Sequence, residues 1–145
     1  MNLKKLMARN GKIADSQKRH RIFDTVEEWK DAFTIDEATD ELKDFWKDGG
    51  YDMKDIAADF VKCFQTEVAS VYNSLQYFLK KANDGEDVLP DIEDYSAIRK
   101  DQDKATELLQ EAFSYIDVDY LIENVFDVDP EGYIYTLCNY YYEQL

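Results

Sequence analysis

Carboxylates are what this chain has in quantity, and they can transfer protons, hold cations or attract basic surfaces. Of its 145 residues 32 are Asp or Glu, against 17 Lys and Arg and one His. Proton-transfer catalysis is poorly provided for. His20 is the sole histidine and lies in a basic N-terminal stretch, so no Ser-His or Cys-His pair with the rest of the chain is on offer. Carboxylate pairs of the glycosidase kind are so numerous that none stands out. The five glycines occur singly or as one pair and no GxxxxGK sequence is present, which argues against a phosphate-binding loop. Cys63 and Cys138 have no CxxC partner, so two buried, reduced thiols are expected rather than a disulfide framework or a zinc site. Asp127, Asp129, Glu131 and Gly132 match positions 1, 3, 5 and 6 of a calcium loop, but Cys138 stands where a bidentate acid is required and Pro130 lies inside. A turn or helix cap is the better reading. We therefore expect no catalytic residue, no metal and no cofactor.

What remains is charge. After Arg21 the chain carries 31 of its acids and only ten Lys or Arg, a formal −21, and no Lys or Arg occurs from Ala105 to Leu145. Such an imbalance costs self-repulsion in a compact state and points to cationic partners. Mixed-sign surfaces are the usual route to solubility. Duplex DNA has one charge per about 1.7 Å of axis, so this excess corresponds to about 35 Å of duplex. Carboxylates three or four apart on a helix lie about 5–6 Å from each other, close to the phosphate spacing of a strand. Asp101, Asp103, Glu107 and Glu111 make such a row, extended by Asp117, Asp119, Glu123, Asp127, Asp129 and Glu131. These are the candidate partner-binding residues.

The elements that must position them read as mainly α. Residues 1–21 form a basic arm of net charge +6, and 22–145 an acidic, mainly helical domain with one core. Thr25 and Glu28 suggest a capping box opening a helix to about Phe33 with Val26 and Trp29 on its stripe; Thr34 and Glu37 repeat the signal, with Gly49-Gly50 as the stop. Apolar residues at three-to-four spacing from Met53 to Leu79 predict one amphipathic helix over 53–82, about 45 Å long. Asn83-Asp84-Gly85 ends it. After Pro90 the pattern Ile92, Tyr95, Ile98, Ala105, Leu108, Leu109, Ala112, Phe113 fits one kinked helix or two short ones, and Asp117 can cap a short helix through Val125. The tail stays open. Asp129-Pro130-Glu131-Gly132 fits a type I turn joining a small β-hairpin, or an N-cap with Pro first in a final helix. Tyr133, Tyr135, Tyr140, Tyr141 and Tyr142 lack a basic groove for stacking nucleic acid, so core packing or a partner interface suits them better. Trp29 and Trp46 read as core anchors.

Tyr115-Ile116-Asp117, with Tyr120 after it and an acidic stretch ending near Gly132, resembles the C-terminal motif of ArdA-type antirestriction proteins, and Asp52-Met53-Lys54-Asp55-Ile56-Ala57 resembles another acidic helix start there. The resemblance covers about a fifth of the chain, and Ile122-Glu123 stand where that family has Gly-Arg. It implies a phage- or plasmid-encoded DNA mimic that inhibits a restriction enzyme. Some anti-CRISPR proteins share the composition without the sequence. The expected function is thus a non-enzymatic inhibitor that occupies the basic DNA- or RNA-binding groove of a host defence nuclease. Rival readings are an immunity protein neutralising a basic nuclease toxin, and an enzyme with a carboxylate pair or acidic metal site. The partner is a basic nucleic-acid-binding protein; no direct nucleic acid and no membrane are expected, a homodimer is allowed, and the location is the cytoplasm. The final 41 residues are expected to make the contact, with the 53–82 helix as scaffold.

Overall fold

The structure, a computed structural model, describes residues 22–144 and the side chains of 27–144. The basic arm 1–21, His20 included, lies outside the described residues. In chain order the helices are α1 (Ile22–Ala32), α2 (Ile35–Asp48), α3 (Met53–Phe64), α4 (Val68–Ala82), α5 (Tyr95–Lys100), α6 (Gln102–Phe113) and α7 (Pro130–Tyr142). Between α6 and α7 runs a series of short turns, Val118–Tyr120, Leu121–Val125 and Phe126–Val128. The protein is mainly α, and no strand occurs among the described residues. These residues gather round two cores. One unit combines the described residues 22–51 with 126–144; the other runs from Asp52 to Val125.

In the first unit, α1 begins at Ile22, so Thr25 stands inside the helix and the predicted start at Thr25–Glu28 is corrected. Ile22 and Val26 already keep the helical spacing that continues to Trp29 and Phe33, which is why the helix extends upstream. The second capping box holds: Thr34 Oγ1 accepts from Glu37 N at 3.1 Å and Glu37 Oε1 accepts from Thr34 N at 3.2 Å. Ala38, Leu42 and Trp46 are buried along α2. Gly50 takes φ +69°, and Tyr51 N donates to Trp46 O at 2.9 Å while Gly50 N donates to Lys47 O at 3.2 Å, the pair of bonds that closes a helix through a left-handed residue.

No hairpin forms at the C-terminus. Asp129 Oδ1 accepts from Gly132 N at 3.1 Å and Pro130 occupies the first turn, so the cap reading wins and α7 follows. Every residue from Tyr133 to Asn139 is buried. A helix buried all round shows no clean apolar stripe, which is why the sequence left strand and helix undecided. Trp46 Nε1 donates to Tyr141 Oη at 2.7 Å, Tyr135 Oη donates to Phe33 O at 2.6 Å, and Cys138 Sγ donates to Ala38 O at 3.8 Å. These bonds tie α7 to α1 and α2. Trp29 and Trp46, each 1% exposed, are the core anchors their type suggests, and burying such a ring stabilises by about 3 kcal/mol or less. Cys138 is fully buried and its thiol is pushed up in pKa by burial and then by Glu41, whereas Cys63 is only half-buried, unlike the expectation for it.

In the second unit the single long helix predicted over 53–82 is two. Phe64 leaves helical geometry at φ −137°, ψ 42°, and Gln65–Glu67 forms a tighter turn before α4 resumes. The tilted rings of Phe60 and Phe64 still meet at 4.8 Å between centroids, and Val68 keeps the four-residue step. The apolar spacing therefore passes straight through a backbone break. The break lets Gln65 Nε2 donate to Arg99 O at 3.2 Å, satisfying a carbonyl at the end of α5. Asp52 and Asp55 form a reciprocal capping box at the start of α3. Asp84 at φ +57° and Gly85 at φ +86° close α4, with Gly85 N donating to Lys80 O at 2.9 Å. Ile56, Ala57, Phe60 and Val61 of α3, Tyr72 and Leu75 of α4, and Leu109, Ala112 and Phe113 of α6 make the second core.

Candidate acidic binding site

The site candidates depend on how α6 is held. Asp101 ends α5 and starts α6: its backbone N–H donates to Ala97 O at 2.9 Å, while its Oδ1 accepts from Asp103 N at 3.1 Å and Lys104 N at 3.2 Å. Two short helices rather than one kinked helix result. The inner face of α6 buries Ala105, Leu109, Ala112 and Phe113. The 3.6-residue repeat then turns Asp103, Glu107 and Glu111 outward in one row at four-residue steps, all exposed. None of the three forms an ion pair with another described residue.

Facing this row is the segment 88–94, which is irregular, so Ile92 belongs to a loop and not to the helical pattern expected after Pro90. α4 holds the loop in place. Tyr72 Oη donates to Pro90 O at 2.5 Å, and Gln76 Nε2 donates to Asp91 Oδ1 at 2.6 Å and Leu89 O at 3.3 Å. Asp94 Oδ1 accepts from Ala97 N at 3.1 Å and caps α5. Between loop and α6 lies an open cleft of about 320 Å³. Among the described residues Asp91, Glu93, Asp94, Glu107 and Glu111 line it with Lys104 as the one cation, and Ile92, Ile98 and Leu108 supply apolar surface. Burial, followed by the charges of Glu111 and Asp91 and then Tyr115, pushes the Tyr72 phenol up to about 12.

No family model, curated protein or solved structure matches the chain.

The remaining candidates are all exposed but differ in what they do. Asp117 Oδ1 accepts from Tyr120 N at 2.8 Å and opens the turn that follows, as its type predicts. Asp119 and Glu123 sit on the turns 118–125 of the second unit. Asp127, Asp129 and Glu131 belong to the first unit. There Asp129 caps α7, and Glu131 Oε2 pairs with Lys30 Nζ at 2.8 Å, which raises the lysine pKa through that hydrogen bond and charge. The turn residues 127–132 thus form a helix start, the alternative to a calcium loop. The exposed row Asp103, Glu107, Glu111 is the part of the predicted set that stands together on one helix face. Asp91, Glu93 and Asp94 escaped the sequence reading. The run Pro90-Asp91-Ile92-Glu93-Asp94 carries no local signal of this, because what pins it is the pair of bonds from Tyr72 and Gln76.

Of the five C-terminal tyrosines, Tyr133, Tyr135 and Tyr141 are buried and Tyr140 and Tyr142 half-buried, so the core takes the larger share. The exposed aromatic surface lies elsewhere, at Tyr77, Tyr95 and Tyr115, which are 63%, 42% and 52% exposed. All three belong to the second unit, the one that carries the cleft. Among the described residues no helix is long and apolar enough to cross a membrane.

Proposed function

We propose that the protein is a non-enzymatic, acidic nucleic-acid mimic that occupies the basic DNA- or RNA-binding groove of a host defence nuclease in the cytoplasm. The observation that carries this reading is the exposed row Asp103, Glu107, Glu111 on α6, which has no ion pair among the described residues and whose last two members lie in the stretch from Ala105 onward that has no Lys or Arg. Side chains four apart on a helix lie about 6 Å apart, so the row offers a basic groove charges at the interval of a phosphate backbone. An exposed pair is worth about 0–1 kcal/mol, so affinity must come from many such pairs acting together and must fall with salt. The resemblance to ArdA-type antirestriction proteins at Tyr115-Ile116-Asp117 supports the same reading.

The test is inhibition of DNA cleavage by purified restriction enzymes and CRISPR effectors, repeated with single Asp-to-Asn and Glu-to-Gln variants along the row. Graded losses of a few-fold per position are expected. Collapse at one position would indicate catalysis, and no inhibition of any nuclease would refute the proposal.

The exposed tyrosines beside the acids support a second reading, an immunity protein with a compact hot spot against a basic nuclease toxin. A toxin gene next to this one would favour it; phage or plasmid neighbours would favour the mimic.

A further inference from the structure

The cleft on α6 differs from a solvated acidic face because it is concave and has apolar surface inside it. Ile98 is buried, Ile92 and Leu108 are half-buried, and carboxylates approach from both sides, Asp91 and Asp94 from the loop and Glu107 and Glu111 from the helix. The loop side is fixed by Tyr72 and Gln76, so the opening exists before anything binds. An independent feature adds to this. Tyr95 directly follows Asp94, and Tyr115 comes four residues after Glu111 in the turn that ends α6, and the two are 42% and 52% exposed.

We propose that this cleft is an anchoring pocket for an arginine side chain of the basic protein partner, its aliphatic stem against Ile92 and Leu108 and its guanidinium between the loop and helix carboxylates. The proposal rests on the cationic-partner reading above and locates where that partner is gripped. Charge complementarity selects the occupant: five carboxylates against Lys104 favour a cation. Shape selects arginine over lysine, because a planar head with five donors can bridge acids on two walls while a stem of methylenes covers apolar surface. An arginine can also lie against an exposed tyrosine ring. Partial desolvation inside a concave site strengthens these charge-assisted bonds relative to those on the open row.

The experiment is an NMR titration of the full-length, ¹⁵N-labelled protein with N-acetyl-arginine amide and, separately, N-acetyl-lysine amide. Saturable shifts confined to residues 91–94 and 104–111, weaker with the lysine compound, are expected. In the double variant Glu107→Gln, Glu111→Gln the affinity should fall about tenfold, the loss of roughly one charge-assisted contact. Asp36→Asn with Asp40→Asn, which removes equal charge from α2, should leave it unchanged. All four positions are exposed, so the variants retain the fold. Shifts scattered over the acidic residues, equal response to the two compounds, or equal loss in both double variants would overturn the pocket. A labelled hexa-arginine peptide separates the two failures. Salt-sensitive binding of that peptide to the wild-type protein together with scattered shifts sinks the pocket alone, whereas no binding of it at low salt sinks the cationic-partner reading as well.

Discussion

Two tyrosines report the two cores separately. Tyr72 and Tyr135 are both pushed up to about 12, chiefly by burial and next by the charge of a carboxylate, Glu111 for the first and Glu131 for the second. An acid whose pKa is raised by folding keeps its proton in the native state after the unfolded chain has lost it. Stability is therefore complete below the unfolded value near pH 10 and declines as pH rises towards 12. Chemical denaturation across that window should show the decline. Tyr72→Phe and Tyr135→Phe should each flatten it while losing about 1 kcal/mol at neutral pH for the missing hydroxyl bond; an unchanged alkaline slope would contradict the assignment. At this scale the sequence was legible for the caps at Thr34 and Asp117, and offered the one at Asp129 as an alternative, but it misplaced the start at Thr25 and did not mark Asp101. It was not legible for Glu131, because its partner Lys30 is brought to it only by the packing of α7 on α1.

Helices announced themselves by apolar spacing, and their breaks did not. The run from Met53 to Leu79 keeps its three-to-four step through the turn at Gln65–Glu67, because Phe60, Phe64 and Val68 stay in register while the backbone at Phe64 departs from it. The break accompanies a tertiary bond, Gln65 to Arg99 O, that no local pattern contains. Thermal melts of Gln65→Ala should show a loss of about 1 kcal/mol for that bond. α7 rests on its cap. Asp129→Ala should cost about 1 kcal/mol, within the usual range for a lost N-cap. Gly132→Ala should cost a similar amount, since a Cβ there would fall 2.2 Å from Asp129 Oδ2 and displace the capping carboxylate. Double-mutant coupling between these two positions, read from denaturant midpoints, checks that they act through one cap.

The acidity belongs to the whole molecule. From Ile22 to Tyr51 and from Phe126 on, 14 acids meet three Lys, and from Asp52 to Val125, 17 acids meet seven Lys and Arg, so the units carry nearly equal excess. The sequence pointed to the last 41 residues as the contact region, but Tyr133–Asn139 are interior, which narrows the accessible part of that stretch. Two cores escaped notice because the first is closed by bonds such as Trp46 to Tyr141, 95 residues apart, and separation in sequence hides such pairing. Self-repulsion of this size should be relieved by salt. Raising NaCl from about 10 to about 200 mM is expected to raise the melting temperature by about 3 °C, read by circular dichroism. The central claim is that these acids stand in for nucleic acid. It is tested most directly by titrating the protein against a fluorescent duplex bound to each of a panel of purified restriction enzymes and CRISPR effectors. The duplex should be displaced competitively from at least one of them, with affinity for the protein falling steeply as salt rises from about 50 to about 200 mM. Simultaneous binding of protein and duplex, or displacement that salt does not weaken, would contradict it.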